Sequence, residues 1–204
     1  MTDEHPFSKL RSLWPILLAG LFMLVGILIL IYLGRDTARL MNGTVDEIDI
    51  HALLNTETAP TAKTLLGKVA VFHFWGTWSD DCRREFPDFV KIYEKYRDNP
   101  NVEFISVSCD AGIENDLVGL KRKTSEFLQS MNVNLPIYSD QAMFTRGRIT
   151  RMLSSGGLGY PFTMVVDRQG VVRDYWLGSV HNSMEKLPKV IDRWVAEESR
   201  TVKN

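Results

Sequence analysis

The chain of 204 residues holds two cysteines, Cys82 and Cys109, and any thiol chemistry must use one or both. Two are too few for a disulfide scaffold, and their spacing matches no zinc-binding pattern. A cysteine reacts as its thiolate, so the groups around each sulfur decide what it can do. Cys82 closes the segment Ser79-Asp80-Asp81-Cys82, which follows the apolar run Val69–Trp75 and the link Gly76-Thr77-Trp78. Serine is a preferred helix N-cap, worth about 1 kcal/mol over alanine, and acidic residues in a first turn complement the helix dipole. The segment therefore reads as a helix start with a thiol in its first turn. His73 is the polar interruption of the apolar run. The other histidines, His5, His51 and His181, have no partner that the sequence can name.

These residues need elements to position them. Val69–Trp75 has the pattern of a strand buried on both faces of a mainly parallel sheet. A helix is predicted from Asp80 to Arg97, with Phe86, Phe89, Val90, Ile92 and Tyr93 as its apolar stripe. Further strands are predicted at Glu47–His51, Val102–Cys109 and Leu135–Tyr138. Helices are predicted near Ala62–Leu66, Thr124–Met131 and Ala142–Leu153. Phe162–Val166 and Val171–Trp176 flank Asp167-Arg168-Gln169-Gly170, a hairpin turn, and Met184–Glu198 is a closing amphipathic helix. Strands alternating with helices, then a hairpin and a last helix, describe an α/β fold with a central mixed sheet flanked by helices.

Composition narrows the function classes. The chain is 45% hydrophobic and 24% charged with a formal net charge of −1, as expected of a globular protein. No long Lys/Arg block appears, which excludes the electrostatic footprint of a nucleic-acid binder. Residues 12–34, Ser12 to Gly34, carry no charge and are rich in Leu, Ile, Val, Met and Phe. A helix of that length crosses a hydrocarbon core of about 30 Å. The run is longer than the apolar region of a cleaved signal peptide, and it ends Tyr32-Leu33-Gly34-Arg35, so an uncleaved transmembrane anchor is expected. Lys9 and Arg11 flank one end and Arg35 and Arg39 the other, so the positive-inside count is a draw. The division predicted is a tail at 1–11, an anchor at 12–34, a juxtamembrane linker at 35–45, one domain at 46–200 and a tail at 201–204.

The segment Val69-Ala70-Val71-Phe72-His73-Phe74-Trp75-Gly76-Thr77-Trp78-Ser79-Asp80-Asp81-Cys82-Arg83-Arg84-Glu85-Phe86-Pro87 resembles the active-site region of TlpA/ResA-type thioredoxin-like proteins. Their pattern is an apolar strand, F-W-A-T-W, then C-x-x-C-R-x-E-x-P. Leu65-Leu66-Gly67-Lys68 resembles the family's L-x-G-K lead-in, and Gly159-Tyr160-Pro161-Phe162-Thr163 its cis-proline loop. The resemblance covers about residues 46–198 and implies a thioredoxin-like fold, thiol-disulfide exchange, and a domain on the extracytoplasmic (periplasmic) side of the membrane. It implies protein thiols or peptide segments as partners, no cofactor, and a cis bond before Pro161 lying against the motif loop. Trp78, Tyr160 and Pro161 are then candidates for an apolar platform that binds an extended peptide.

Ser79 stands where the family carries its nucleophilic Cys. A serine hydroxyl forms no disulfide, and it is not ionised near neutral pH without a strong base. The two-thiol cycle, in which one Cys attacks and the second resolves, is therefore unavailable within the motif. The surviving thiol, Cys82, occupies the resolving position. In the fold that the resemblance implies, the strand position six residues before the first motif Cys lies beneath the second, and in thioredoxin it carries a buried acid. Here it is His73, which either takes the Cys82 proton or is a buried neutral imidazole. Cys109, at the expected end of the neighbouring strand, is either a second thiol for Cys82 or a small buried core residue.

The leading expectation is a monothiol or non-catalytic binding member of the family. The alternative is a peroxiredoxin-like thiol peroxidase using Cys82 of an S-x-x-C motif. Trp75 stands where that motif expects Pro, and an arginine near the thiol is required, with Arg146, Arg148 and Arg151 as candidates. A copper carrier of the Sco kind is disfavoured because its C-x-x-x-C is absent.

Overall fold

The computed structural model describes residues 18–29, 43–111, 116–153, 157–178 and 183–201. The chain forms two compact units, 1–38 and 39–204. In the first, residues 18–29 are helical, with Leu21, Phe22, Met23, Leu24 and Leu28 exposed. The remainder of the expected anchor, 12–17 and 30–34, lies outside the described residues. Among the described residues no helix is long and apolar enough to cross a membrane.

The second unit is built on one mixed six-stranded sheet. Its strands are β1 (His51–Leu54), β2 (Val69–Trp75), β3 (Val102–Ser108), β4 (Ile137–Ser139), β5 (Phe162–Val166) and β6 (Val172–Leu177), in the order β1-β4-β3-β2-β5-β6. β2 is parallel to β3, and β3 to β4; β2 is antiparallel to β5, β5 to β6, and β1 to β4. The central β2 is buried along its whole length, His73 included, as its largely apolar run requires. Alternate residues point to opposite faces, so Val69, Val71 and Trp75 join one core cluster and Ala70, Phe72 and Phe74 the other.

The helices are α1 (Ala62–Leu65), α2 (Asp80–Tyr96), α3 (Leu117–Ser130), α4 (Phe144–Met152) and α5 (Ser183–Thr201). α2, α3 and α5 supply Phe86, Phe89, Ile92, Leu120, Leu128, Leu187 and Ile191 to the first cluster. α4 supplies Ile149 to the second, which also holds Ile50 and Leu65. The α/β sheet covered on both faces is the architecture expected from the alternating pattern.

Several boundaries differ from expectation for local reasons. The first strand is His51–Leu54 rather than Glu47–His51, because it is the later residues that find β4 as a partner. Residues 43–45 instead run beside the hairpin turn: Thr44 bridges Val171, and the Val45 N–H donates to the Gly170 carbonyl at 2.8 Å. α3 begins at Leu117 rather than Thr124, capped by Asp116, whose Oδ1 accepts from the Gly119 N–H at 2.8 Å. The predicted helix 142–153 is broken at its start. Ala142 and Met143 take left-handed φ values of 53° and 56°, leaving a 3-10 turn at Gln141–Met143 before α4. Met143 has no side chain able to cap α4, and Asp140 does so instead, its carboxylate accepting from the Thr145 and Arg146 N–H groups at 3.0 and 2.8 Å.

Candidate functional site

β2 delivers the chain to the C-terminal edge of the sheet, and α2 starts immediately beyond it. Ser79 sits at the N-cap in an extended conformation, its Oγ accepting from the Cys82 N–H at 3.3 Å. Asp80 and Asp81 occupy the first turn, and each is paired one turn on, with Arg83 and Arg84 respectively. Arg83 also donates to the Thr77 carbonyl, which closes the motif loop onto the helix.

Cys82 is wholly buried. Burial pushes its thiol up, bonds from Ser79 and the Gly76 backbone oppose this, and the charges of Glu85 and Asp81 add to it. The acidic residues beside the motif thus work against a thiolate, and the remaining motif sulfur is both sealed and protonated near neutral pH. His73 is also wholly buried. Its Nδ1 lies 2.9 Å from the Thr163 Oγ1 across the β2–β5 pairing, while Nε2 has no partner among the described residues. The ring stacks on Phe89 with centroids 4.1 Å apart, and burial lowers its pKa to about 3, so it is a neutral imidazole. No hydrogen bond joins His73 to Cys82 among the described residues.

Cys109 follows β3 and faces the other core cluster from Cys82. Both thiols are free. Cys109 is 1% exposed, its Sγ lies 3.5 Å from the Val107 carbonyl, and burial pushes it up to about 12 against the opposing charge of Arg146.

The platform residues come together around this second cysteine. The indole of Trp78, 45% exposed, donates to the Cys109 carbonyl at 3.0 Å and meets the Tyr160 ring edge-on at 5.4 Å between centroids. The Tyr160–Pro161 peptide is cis, and Pro161 is buried. Gly76 makes the close approach possible: a Cβ there would lie 2.2 Å from the Trp78 Nε1 and 2.8 Å from the Cys109 carbonyl oxygen. Gly76→Ala should cost about 1–3 kcal/mol and turn the indole outward. A denaturation midpoint and a red shift in Trp78 emission check this; an unchanged spectrum and midpoint would refute the fit described.

Two further buried charged groups lie near the thiols: Glu85, which was not singled out from sequence, and Arg146, one of the three candidate arginines. Glu85 lies one turn after Cys82 on the same buried stripe as Phe86 and Phe89, and the Ser183 hydroxyl donates to its Oε2 at 3.2 Å. Burial pushes Glu85 up to about 7. Its signal was a lone acid on an otherwise apolar helix face. The second group is Arg146, 6% exposed, whose Nε donates to Asp140 Oδ2 at 3.0 Å and whose Nη1 donates to the Tyr160 hydroxyl at 3.0 Å. Of the three candidate arginines it is the one beside a thiol, and that thiol is Cys109. Arg148 instead pairs with Asp46 and Glu47. No cluster of His, Cys, Asp and Glu that could hold a metal occurs among the described residues.

Comparison with known proteins follows this geometry. Thiol-disulfide oxidoreductase ResA of Bacillus thuringiensis (strain Al Hakam) is 26% identical over 117 residues, covering 57% of this chain and 58% of that protein. The match thus spans less than two thirds of the curated relative. Among solved structures, a thiol-disulfide isomerase from Corynebacterium glutamicum is similar with a TM-score of 0.58 and 18% identity, over 76% of this chain and 97% of that one. StoA from Bacillus subtilis is similar with a TM-score of 0.52 and 17% identity, over 72% and 98%. These likenesses establish the thioredoxin-like fold. A family model described as AhpC/TSA matches residues 49–175, from just ahead of β1 into β6 and across both the motif loop and the cis-proline loop. With more than half of the chain matched, this protein belongs to the AhpC/TSA family, as a ResA-like member of it.

Proposed function

We propose that this is a single-pass membrane protein whose thioredoxin-like domain lies outside the cytoplasm and docks extended segments of other proteins without carrying out two-thiol exchange. The observation that carries this reading is Ser79 at the nucleophile position above a wholly buried Cys82. An exposed thiolate is the attacking species in exchange, and the motif offers a hydroxyl in its place. The Trp78–Tyr160 face next to it, backed by the buried Pro161 rather than sharing the surface with it, keeps partly exposed aromatic surface suited to an extended chain. The uncharged run 12–34 supports the anchor, and the ResA-like motif supports the extracytoplasmic side. Protease accessibility of the domain in intact spheroplasts checks that orientation; full protection would place the domain inside.

The peroxidase alternative has less support, because the charges weighing most on Cys82 are the carboxylates of Glu85 and Asp81. The deciding comparison is the parent against Ser79→Cys in an insulin-disulfide reduction assay with dithiothreitol. In the variant, the Cys introduced at position 79 attacks the substrate disulfide, and Cys82 displaces the substrate thiol to leave an internal disulfide that dithiothreitol reduces. Turnover should appear in Ser79→Cys and be absent from the parent. Turnover by the parent would overturn the reading.

A further inference from the structure

The two halves of the docking face come from distant parts of the chain. Trp78 belongs to the motif loop after β2, and Tyr160 to the loop before β5. Trp78 is tied to Cys109, its indole N–H donating to the carbonyl at 3.0 Å, and the Tyr160 ring meets the indole edge-on at 5.4 Å between centroids. The Tyr160 hydroxyl accepts from Arg146 Nη1 at 3.0 Å. Arg146 is held in turn on three further sides. Its Nε and backbone N–H donate to the Asp140 carboxylate at 3.0 and 2.8 Å, and its Nη2 donates to the Asp140 carbonyl at 3.1 Å. Asp140 is 5% exposed and caps α4, so the guanidinium is fixed to a rigid element.

We infer that Arg146 is a positioning residue for the docking face: clamped by Asp140, it holds the Tyr160 hydroxyl, and through the Tyr160 ring it fixes the Trp78 indole, so that the two form one preformed edge. This deepens the function proposed above and rests on it for its biological meaning. A buried ion pair seldom repays its desolvation in stability, so a role in holding a specific arrangement fits its cost. The gain is in binding: aromatic side chains already locked in place lose little freedom when a segment docks. Lysine can keep the charge opposite Asp140, but it lacks the planar fork that reaches Asp140 and Tyr160 together. Cys109 then serves through its carbonyl, which anchors the Trp78 indole, with no redox step required of its thiol.

The test uses Arg146→Lys, Tyr160→Phe and the double variant, each in the full-length chain in detergent micelles. The first readout is solvent exchange of the Trp78 indole N–H, assigned among the five tryptophans with Trp78→Phe. Both single variants should speed that exchange about fivefold, and the double variant should go no further, because both remove the same hydrogen bond. The second readout places the same changes in the Ser79→Cys background. There KM for the disulfide substrate should rise about fivefold with kcat held within twofold. A structural role alone would lower the melting temperature, leave the indole exchange of the folded state unmoved and produce additive effects; that result overturns the inference. If Ser79→Cys is inactive, the proposed function fails, and the indole exchange still decides whether Arg146 positions Trp78.

Discussion

Replacing Glu85 with Gln should convert a nearly pH-independent stability between about pH 4.5 and 6.5 into one that falls steeply on acidification. Two wholly or largely buried groups of opposite sign produce this. His73 has a folded pKa of about 3 against 6.5 for the free side chain. As pH drops through 6.5 the unfolded chain takes up a proton that the folded protein cannot, so stability is lost downwards, by about 5 kcal/mol at pH 3. Glu85 has a folded pKa of about 7 against 4.5. Its contribution is fully present below pH 4.5 and is lost as pH rises through 7, by about 3 kcal/mol. In the window where both act, the slopes oppose one another. Glu85→Gln removes the acid side and leaves the His73 slope. His73→Asn should do the reverse, giving a protein whose stability declines from pH 4.5 to 7. Asp174, half-buried and also pushed up by burial, adds in the sense of Glu85. Melting temperatures across pH 4–8 for the three proteins provide the check. The slopes are read rather than the absolute values, since His73→Asn carries its own packing cost. A flat profile in Glu85→Gln would show that His73 is protonated in the folded protein.

Phe86→Ala should be the most damaging single truncation near the motif, at about 3–5 kcal/mol. Phe86 is fully buried, with ring centroids 4.1 Å from Trp75, 5.4 Å from Phe127, 6.0 Å from Phe89 and 6.3 Å from the His73 ring. It joins α2, α3 and β2, so collapse around the missing ring would have to move three elements. Cys82 lies one turn away in the same cluster. The cavity should therefore open the Cys82 thiol to small reagents while leaving Cys109, on the other face of the sheet, sealed. Urea denaturation measures the first effect, and mass spectrometry of iodoacetamide-labelled peptides the second. A loss under about 1 kcal/mol with both thiols still protected would mean that the core around the motif is less tightly shared than its ring contacts indicate.

Much of this protein was legible before its structure. The apolar run Val69–Trp75, interrupted only by His73, specifies a central strand, because two covered faces leave no position for a polar alternate apart from a satisfied or neutral one such as His73. Ser79-Asp80-Asp81 specifies the start of α2 through local hydrogen bonding and the helix dipole, and such effects travel with the sequence. That position 79 carries a hydroxyl, which forms no disulfide, is likewise a matter of residue identity alone. Where the readings drifted, a contact distant in sequence decided the outcome. β1 lies where β4 can pair with it, and α4 starts where Asp140 reaches its amides.

The state of the two thiols and the meeting of Trp78 with Tyr160 belong to the tertiary structure alone. Whether Cys82 is exposed depends on how Phe86, Ser79 and the Gly76 turn close over it. The Arg146–Tyr160–Cys109–Trp78 arrangement joins residues up to 82 positions apart, from loops that meet only because β5 lies antiparallel beside β2 and β3 parallel on its other side. The sequence by itself determined the sheet, the helix start at Ser79 and the presence of a hydroxyl rather than a thiol there, since propensity, periodicity and residue chemistry are local. The tertiary structure decided that Cys82 is sealed, that His73 is neutral, and that Arg146 bonds Asp140 and Tyr160 rather than the motif thiol. Burial and pairing across the sheet are properties of neighbours brought together by folding, and spacing along the chain does not encode them.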